Sequence, residues 1–304
     1  MHDEMIERLG YDHDTALAAG HGEQRTRWVV ALTASMMLVE LVAGHLTHSM
    51  ALVADGWHMA THAGALGLAA LAYWFARSRA RHGAFTFGTG KVYALAGYTS
   101  AVTLAFVAFW MVSESVRRLL HPLPISFGEA LPVAAVGLGV NLVSLKLLDR
   151  DDSPQAHAHD DHNWRAAYVH VAADALTSVL AIVALLTGRY LGWTVVDPLM
   201  GVVGAGLIVH WATGLCRDAA GQLLDVLPST DTAQAMRRTL EAIDDLRIAD
   251  LHLWAVGPGR MACIVSLVSA APRETSYYRD LILSRWPLAH LTVELHQCRL
   301  GHAA

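Results

Sequence analysis

The chain has 304 residues, 54% of them hydrophobic and 16% charged, with a positive mean hydropathy and a net charge of −5. That balance argues against an ordinary soluble domain and for a membrane protein with some water-soluble mass; the negative charge speaks against nucleic acid as a partner, which needs concentrated Lys and Arg. Three cysteines, Cys216, Cys263 and Cys298, are too few and too scattered for a disulfide framework, whereas histidine, the commonest side-chain metal ligand, occurs 18 times.

Residues 1–27 form a polar tail without the apolar core of a cleavable signal peptide. Six apolar segments follow, at roughly 28–48, 50–75, 92–113, 128–148, 166–188 and 194–215. Each is long enough, or nearly so, to cross a bilayer, for which about 20 residues suffice. The fourth is Gly-rich and carries Asn141; the sixth opens with "VVDPLMG", placing Pro198 near a helix start that tolerates its missing amide. One side of the membrane collects Arg25, Arg27, Arg77, Arg79, Arg81, Lys91, Lys146, Arg150, Arg165 and Arg217, the other Arg117, Arg118 and Arg189. The positive-inside rule then puts both termini in the cytoplasm.

Beyond residue 216 the composition changes. "TDTAQAMRRTLEAIDDL" predicts an amphipathic helix with a Ser/Thr/Asp cap. "IADLHLWAVG" and "MACIVSLVSA" predict two strands joined at "GPGR", "RETSYYRDLILSRW" a second helix and "HLTVELHQCR" a third strand. The expected organisation is a cytoplasmic tail (1–27), an all-α bundle of six transmembrane helices (28–215) with a His/Asp-rich cytoplasmic loop at 149–163, and a small cytoplasmic α+β domain (216–304). "FGTGK" at 87–91 lacks the P-loop spacing and follows no strand.

The second and fifth segments carry the chemistry. In "DGWHMATHAG" His58 and His62 stand four apart, and in "YVHVAADALTSV" so do His170 and Asp174. Residues at that spacing share a helix face, about 5–6 Å apart at Cβ. Two facing helices, each giving such a pair, can close four ligands on one ion. Three imidazoles and a carboxylate make a site for a borderline divalent transition metal, whereas calcium and magnesium prefer oxygen throughout. A single buried histidine is as readily a packing group that hydrogen-bonds a neighbouring helix. Four ionisable groups in two matched pairs are another matter, because each costs roughly 2.5–3.5 kcal/mol at membrane depth on insertion scales.

These residues give the chain a resemblance to the cation diffusion facilitators. It runs from about residue 28 to the end, through "SMALVADGWHMATHAG", "FTFGTGK", "HVAADALTSV" and "DPLMG". The resemblance implies six transmembrane helices, a cytoplasmic ferredoxin-like, metallochaperone-like domain, a homodimer, and export of divalent metal in exchange for protons from the bacterial inner membrane. It also implies that His58, His62, His170 and Asp174 are the transport ligands. Many zinc-exporting members carry Asp at the position of His62, and "THAG" with "FTFGTGK" is most similar to the cobalt/nickel-exporting branch. The expected cargo is therefore Co2+ or Ni2+, with Zn2+ as the alternative; no cofactor, enzyme activity or catalytic residue is expected. In the soluble domain the resemblance weakens. Zinc-binding relatives carry histidines where this chain has Ala249 and Ser266, and His252, His290, His296 and Cys298 remain. His296 and Cys298 share a strand face and fit either a residual metal site or a dimer interface.

Other polar residues carry two readings each. Asp55 fits an acid that gates the site or orients an imidazole, or else a helix-start residue near the outer surface. Glu40, Asn141 and Asp197 fit the lining of a polar interior or satisfied packing groups. His157, His159 and His162 in the 149–163 loop fit weak metal capture or a solvated acidic linker. Two other function classes lack the residues they need. An intramembrane metalloenzyme needs a general base such as the Glu of H-E-x-x-H, but Met59 follows His58. A metal sensor needs the soluble-domain ligands absent at Ala249 and Ser266.

Overall fold

The computed structural model describes residues 23–79, 83–148, 161–227 and 229–298, with side chains except at 23–30, 62, 66, 145–148 and 161–173. Six long helices come first: α1 (Glu23–Leu46), α2 (Met50–Arg79), α3 (Lys91–Leu120), α4 (Phe127–Leu148), α5 (Asp161–Leu191) and α6 (Val196–Leu223). Among the described residues, α2 to α6 are long and apolar enough to cross a membrane, while the apolar part of α1, Ala31–Leu46, is shorter. Large apolar side chains such as Leu38, Trp74, Phe106 and Phe109 are exposed on these helices, whereas the buried positions are rich in alanine. That inversion of the soluble pattern is what lipid contact and small-residue helix packing produce.

The helices overrun the apolar segments that announce them. α3 continues to Leu120 because Glu114 accepts from Arg117 Nε at 2.8 Å and from Arg118 Nε at 2.9 Å, pairs that sustain polar helical turns. α5 already starts at Asp161, inside the expected 149–163 loop. Pro198 falls in the first turn of α6, as its chemistry requires.

The C-terminal elements are α7 (Thr230–Glu241), β1 (Arg247–Gly257), β2 (Arg260–Ser269), α8 (Thr275–Arg285) and β3 (Leu288–Gln297). The sheet order is β1-β2-β3, with β1 antiparallel and β3 parallel to β2. Pro258 and Gly259 make the hairpin turn, with Gly259 at φ +65°, where a side chain would be strained. The parallel pair needs a crossover, which α8 provides. Met236 and Leu240 of α7 and Tyr278 and Ile282 of α8 pack with Leu253, Val265 and Leu267 of the sheet in one core.

The chain divides into two compact units. One comprises the described residues of Ala18–Leu68 and Thr99–Gly214; the other comprises those of Ala69–Tyr98 and Leu215–Ala304. In the second unit the loop before α3 lies on the sheet. Phe87 meets Trp254 and His290 edge-on, with centroids 5.9 and 5.5 Å apart, and these flank Ala262 in one cross-strand row. A Cβ on Gly90 would run into the Val256 carbonyl, and Lys91 Nζ donates to Asp225 at 2.7 Å.

Candidate metal site

The helix pattern places His58 on α2 and Asp174 on α5, and packing brings them together: His58 Nε2 lies 3.0 Å from Asp174 Oδ1, with both side chains buried. Trp211 of α6 covers the imidazole, with ring centroids 5.4 Å apart and tilted by 55°. Beside the pair is a cavity of about 20 Å³ lined by Asp55, His58, Thr177, Met200, Gly204 and Leu207, which is room for one water-sized occupant. His62 follows one turn after His58 in α2, and His170 precedes Asp174 by one turn in α5; their side chains lie outside the described part. Among the described residues no three His, Cys, Asp or Glu side chains converge on a single point.

Asp55 is buried within the bundle. Thr177 Oγ1 donates to its Oδ1 at 2.8 Å and Ser178 Oγ to its Oδ2 at 2.7 Å. Asn141 of α4 in turn donates to Ser178 Oγ at 3.0 Å. One acid thus ties α2 to α5 and, through a hydroxyl, to α4, one turn from the His58–Asp174 contact. Thr177 and Ser178 had a visible signal in "DALTSV": they stand three and four residues after Asp174, on its helix face. Trp211 had none, because nothing local says which helix α6 will meet.

Asp197 does different work. Its carboxylate accepts from Ser49 Oγ at 2.6 Å and from the amides of Met50 at 2.7 Å and Ala51 at 3.1 Å. It satisfies orphan amides at the start of α2 from the first turn of α6, a cap supplied across the bundle.

On the open face of the C-terminal sheet, His252 Nε2 lies 2.8 Å from Asp250 Oδ2 and His296 Nε2 lies 3.3 Å from Glu294 Oε1. Ser266 donates a short hydrogen bond to Glu294. The Ser266 hydroxyl and His296 hold the Glu294 carboxyl below the usual range. Cys298 is exposed just past β3, its amide bonded to the Ser269 carbonyl at 3.0 Å. Cys263 is buried in the core, where desolvation pushes its thiol up to about 12, so it offers no thiolate at neutral pH. Ala249 falls at a break in the β1–β2 register. His157 and His159 lie outside the described residues, and His162 is in the first turn of α5 with its side chain outside them.

A family model described as the cation efflux transmembrane domain matches residues 27–224. The zinc transporter ZitB of Escherichia coli K12 is 35% identical over 245 residues, spanning 79% of this chain and 76% of the relative. The cadmium, cobalt and zinc/H(+)-K(+) antiporter of Bacillus velezensis is 28% identical over 253 residues, 83% and 78% of the two chains. The cation efflux system protein CzcD of Alcaligenes sp. CT14 is 29% identical over 303 residues, 97% and 93%.

Proposed function

The chain belongs to the cation diffusion facilitator family of cation efflux proteins, and from that premise we propose that it exports divalent transition-metal ions from the cytoplasm by proton antiport. The observation that carries the reading is the 3.0 Å approach of His58 to Asp174, two ionisable side chains buried between membrane-length helices. A polar pair there is costly and marks a pathway. His62 and His170 complete the ligand set in this proposal, each one turn from a member of the pair. Metal binds neutral imidazoles and ionised Asp174 from the inside; outside, protons compete for the same ligands. Unperturbed imidazoles titrate near about pH 6.5, so the exchange works around neutrality.

Cobalt and nickel are the proposed cargo because His62 supplies nitrogen where many zinc exporters have a carboxylate. A zinc-preferring exporter is the second reading, favoured by relatives named zinc transporter and by the similar nitrogen affinity of zinc. The protein acts as a homodimer in the bacterial inner membrane, with both termini cytoplasmic and a ferredoxin-like C-terminal domain. The 149–163 stretch, with His157 and His159 and with His162 in the first turn of α5, collects ions, while His296 and Cys298 serve a residual site or the dimer contact.

The test is transport of Co2+, Ni2+, Zn2+ and Mn2+ into proteoliposomes under an imposed pH gradient. Metal flux with proton counterflow is expected, and His58→Ala and Asp174→Ala each bring it to the level of empty liposomes. Unaltered flux in both variants overturns the site assignment.

A further inference from the structure

Glu40 of α1 is fully buried, and neither of its carboxylate oxygens has a hydrogen-bond partner among the described residues. The other acids of the bundle interior are engaged: Asp55 by two hydroxyls, Asp197 by a hydroxyl and two amides, Asp174 by His58. The position of Glu40 is built by its neighbours. Gly56 of α2 packs against Leu41, where an added Cβ would meet its amide and side chain at 3.0 Å, so the two helices touch at the level of Glu40 and Asp55. Across from it, α4 presents Gly137, and any side chain there would take the place of Glu40 Oε1. One turn further along α4, Asn141 joins the hydroxyl network that holds Asp55. The acids whose fields reach Glu40 are Asp55 of α2 and Asp174 of α5; α4 meets it with Gly137 and adds no charge at that contact.

A carboxylate at membrane depth without donors is costly unless a cation joins it. A divalent ion needs several ligands at once. Among the described residues, a single acid in a cradle walled by Gly137 and Met36 offers one, which suits a proton. We infer that Glu40 is a proton-binding carboxylate of the exchange, separate from the His58–Asp174 pair: it takes a proton from the outer side as metal leaves and returns it to the cytoplasm before the next ion binds. This rests on the metal-for-proton reading above.

The experiment measures proton counterflow per metal ion in proteoliposomes, together with equilibrium metal affinity of the detergent-purified protein, for the unaltered chain, Glu40→Gln and Glu40→Asp. Glu40→Gln is expected still to bind metal and to lower the ratio by about one proton per ion, and Glu40→Asp, which keeps the acid, to restore it. An unchanged ratio in Glu40→Gln overturns the proposal. So does a loss of metal affinity at an unchanged ratio, which would make Glu40 a metal ligand. If the unaltered protein moves metal without counterflow, the antiport reading itself fails, and the role of Glu40 with it.

Discussion

The bundle interior and the open face of the C-terminal sheet both set histidine against carboxylate, at similar distances and with opposite surroundings. His58 and Asp174 are 3.0 Å apart with side chains 4% and 7% exposed; His252 and Asp250 are 2.8 Å apart at 62% and 60%. In water the exposed pair is screened and exchanges freely for hydration, so its geometry carries little energy. Inside the bundle the same two groups have given up their hydration, and the remaining way to offset that cost is mutual contact, hydroxyl donors or an ion. Distance is common to the two pairs; what differs is burial, and with it the cost of leaving the groups without a partner.

The strongest break of that comparison is a matched pair of substitutions. Asp174→Ala should abolish metal flux in proteoliposomes, whereas His252→Ala should leave it unchanged; equal losses would show that the two faces do not differ as proposed. Next in size is the hydroxyl that holds Asp55. Ser178→Ala removes one of its two side-chain donors and should weaken metal binding roughly 10-fold, the lower end for groups that orient ligands, as read by calorimetric titration of purified protein. His62→Asp should shift the preference among Co2+, Ni2+ and Zn2+ towards zinc in competition uptake, without loss of total flux.

The smallest effect belongs to the sheet. Ser266 and His296 hold Glu294 below the ordinary glutamate range. A lowered carboxylate adds stability that is present above the ordinary range and lost as pH falls through the lowered value. Ser266→Ala should therefore raise the Glu294 titration midpoint in an NMR pH series and reduce the loss of stability on acidification. Metal transport should not respond.

Much of this protein was legible from local chemistry. Hydropathy runs locate six long helices, though their ends differ by up to eight residues, and alternation and turn residues place the α7-β1-β2-α8-β3 order, because both patterns follow from backbone period. The spacings His58–His62 and His170–Asp174 are readable for the same reason. Helix ends were less legible: the last turns of α3 are polar yet helical, held by Glu114 with Arg117 and Arg118.

What needed the tertiary structure was which helix faces which. Asp55 turned towards Thr177 and Ser178, Asp197 capping α2 from α6, Trp211 over His58, and Glu40 against Gly137 with no hydrogen-bond partner among the described residues all depend on helix rotation and neighbour choice. In a bilayer every apolar flank is equally acceptable to lipid, so hydropathy does not orient the helices. Close contacts at small residues such as Gly56 and Gly137 do, and those exist only once the bundle is assembled.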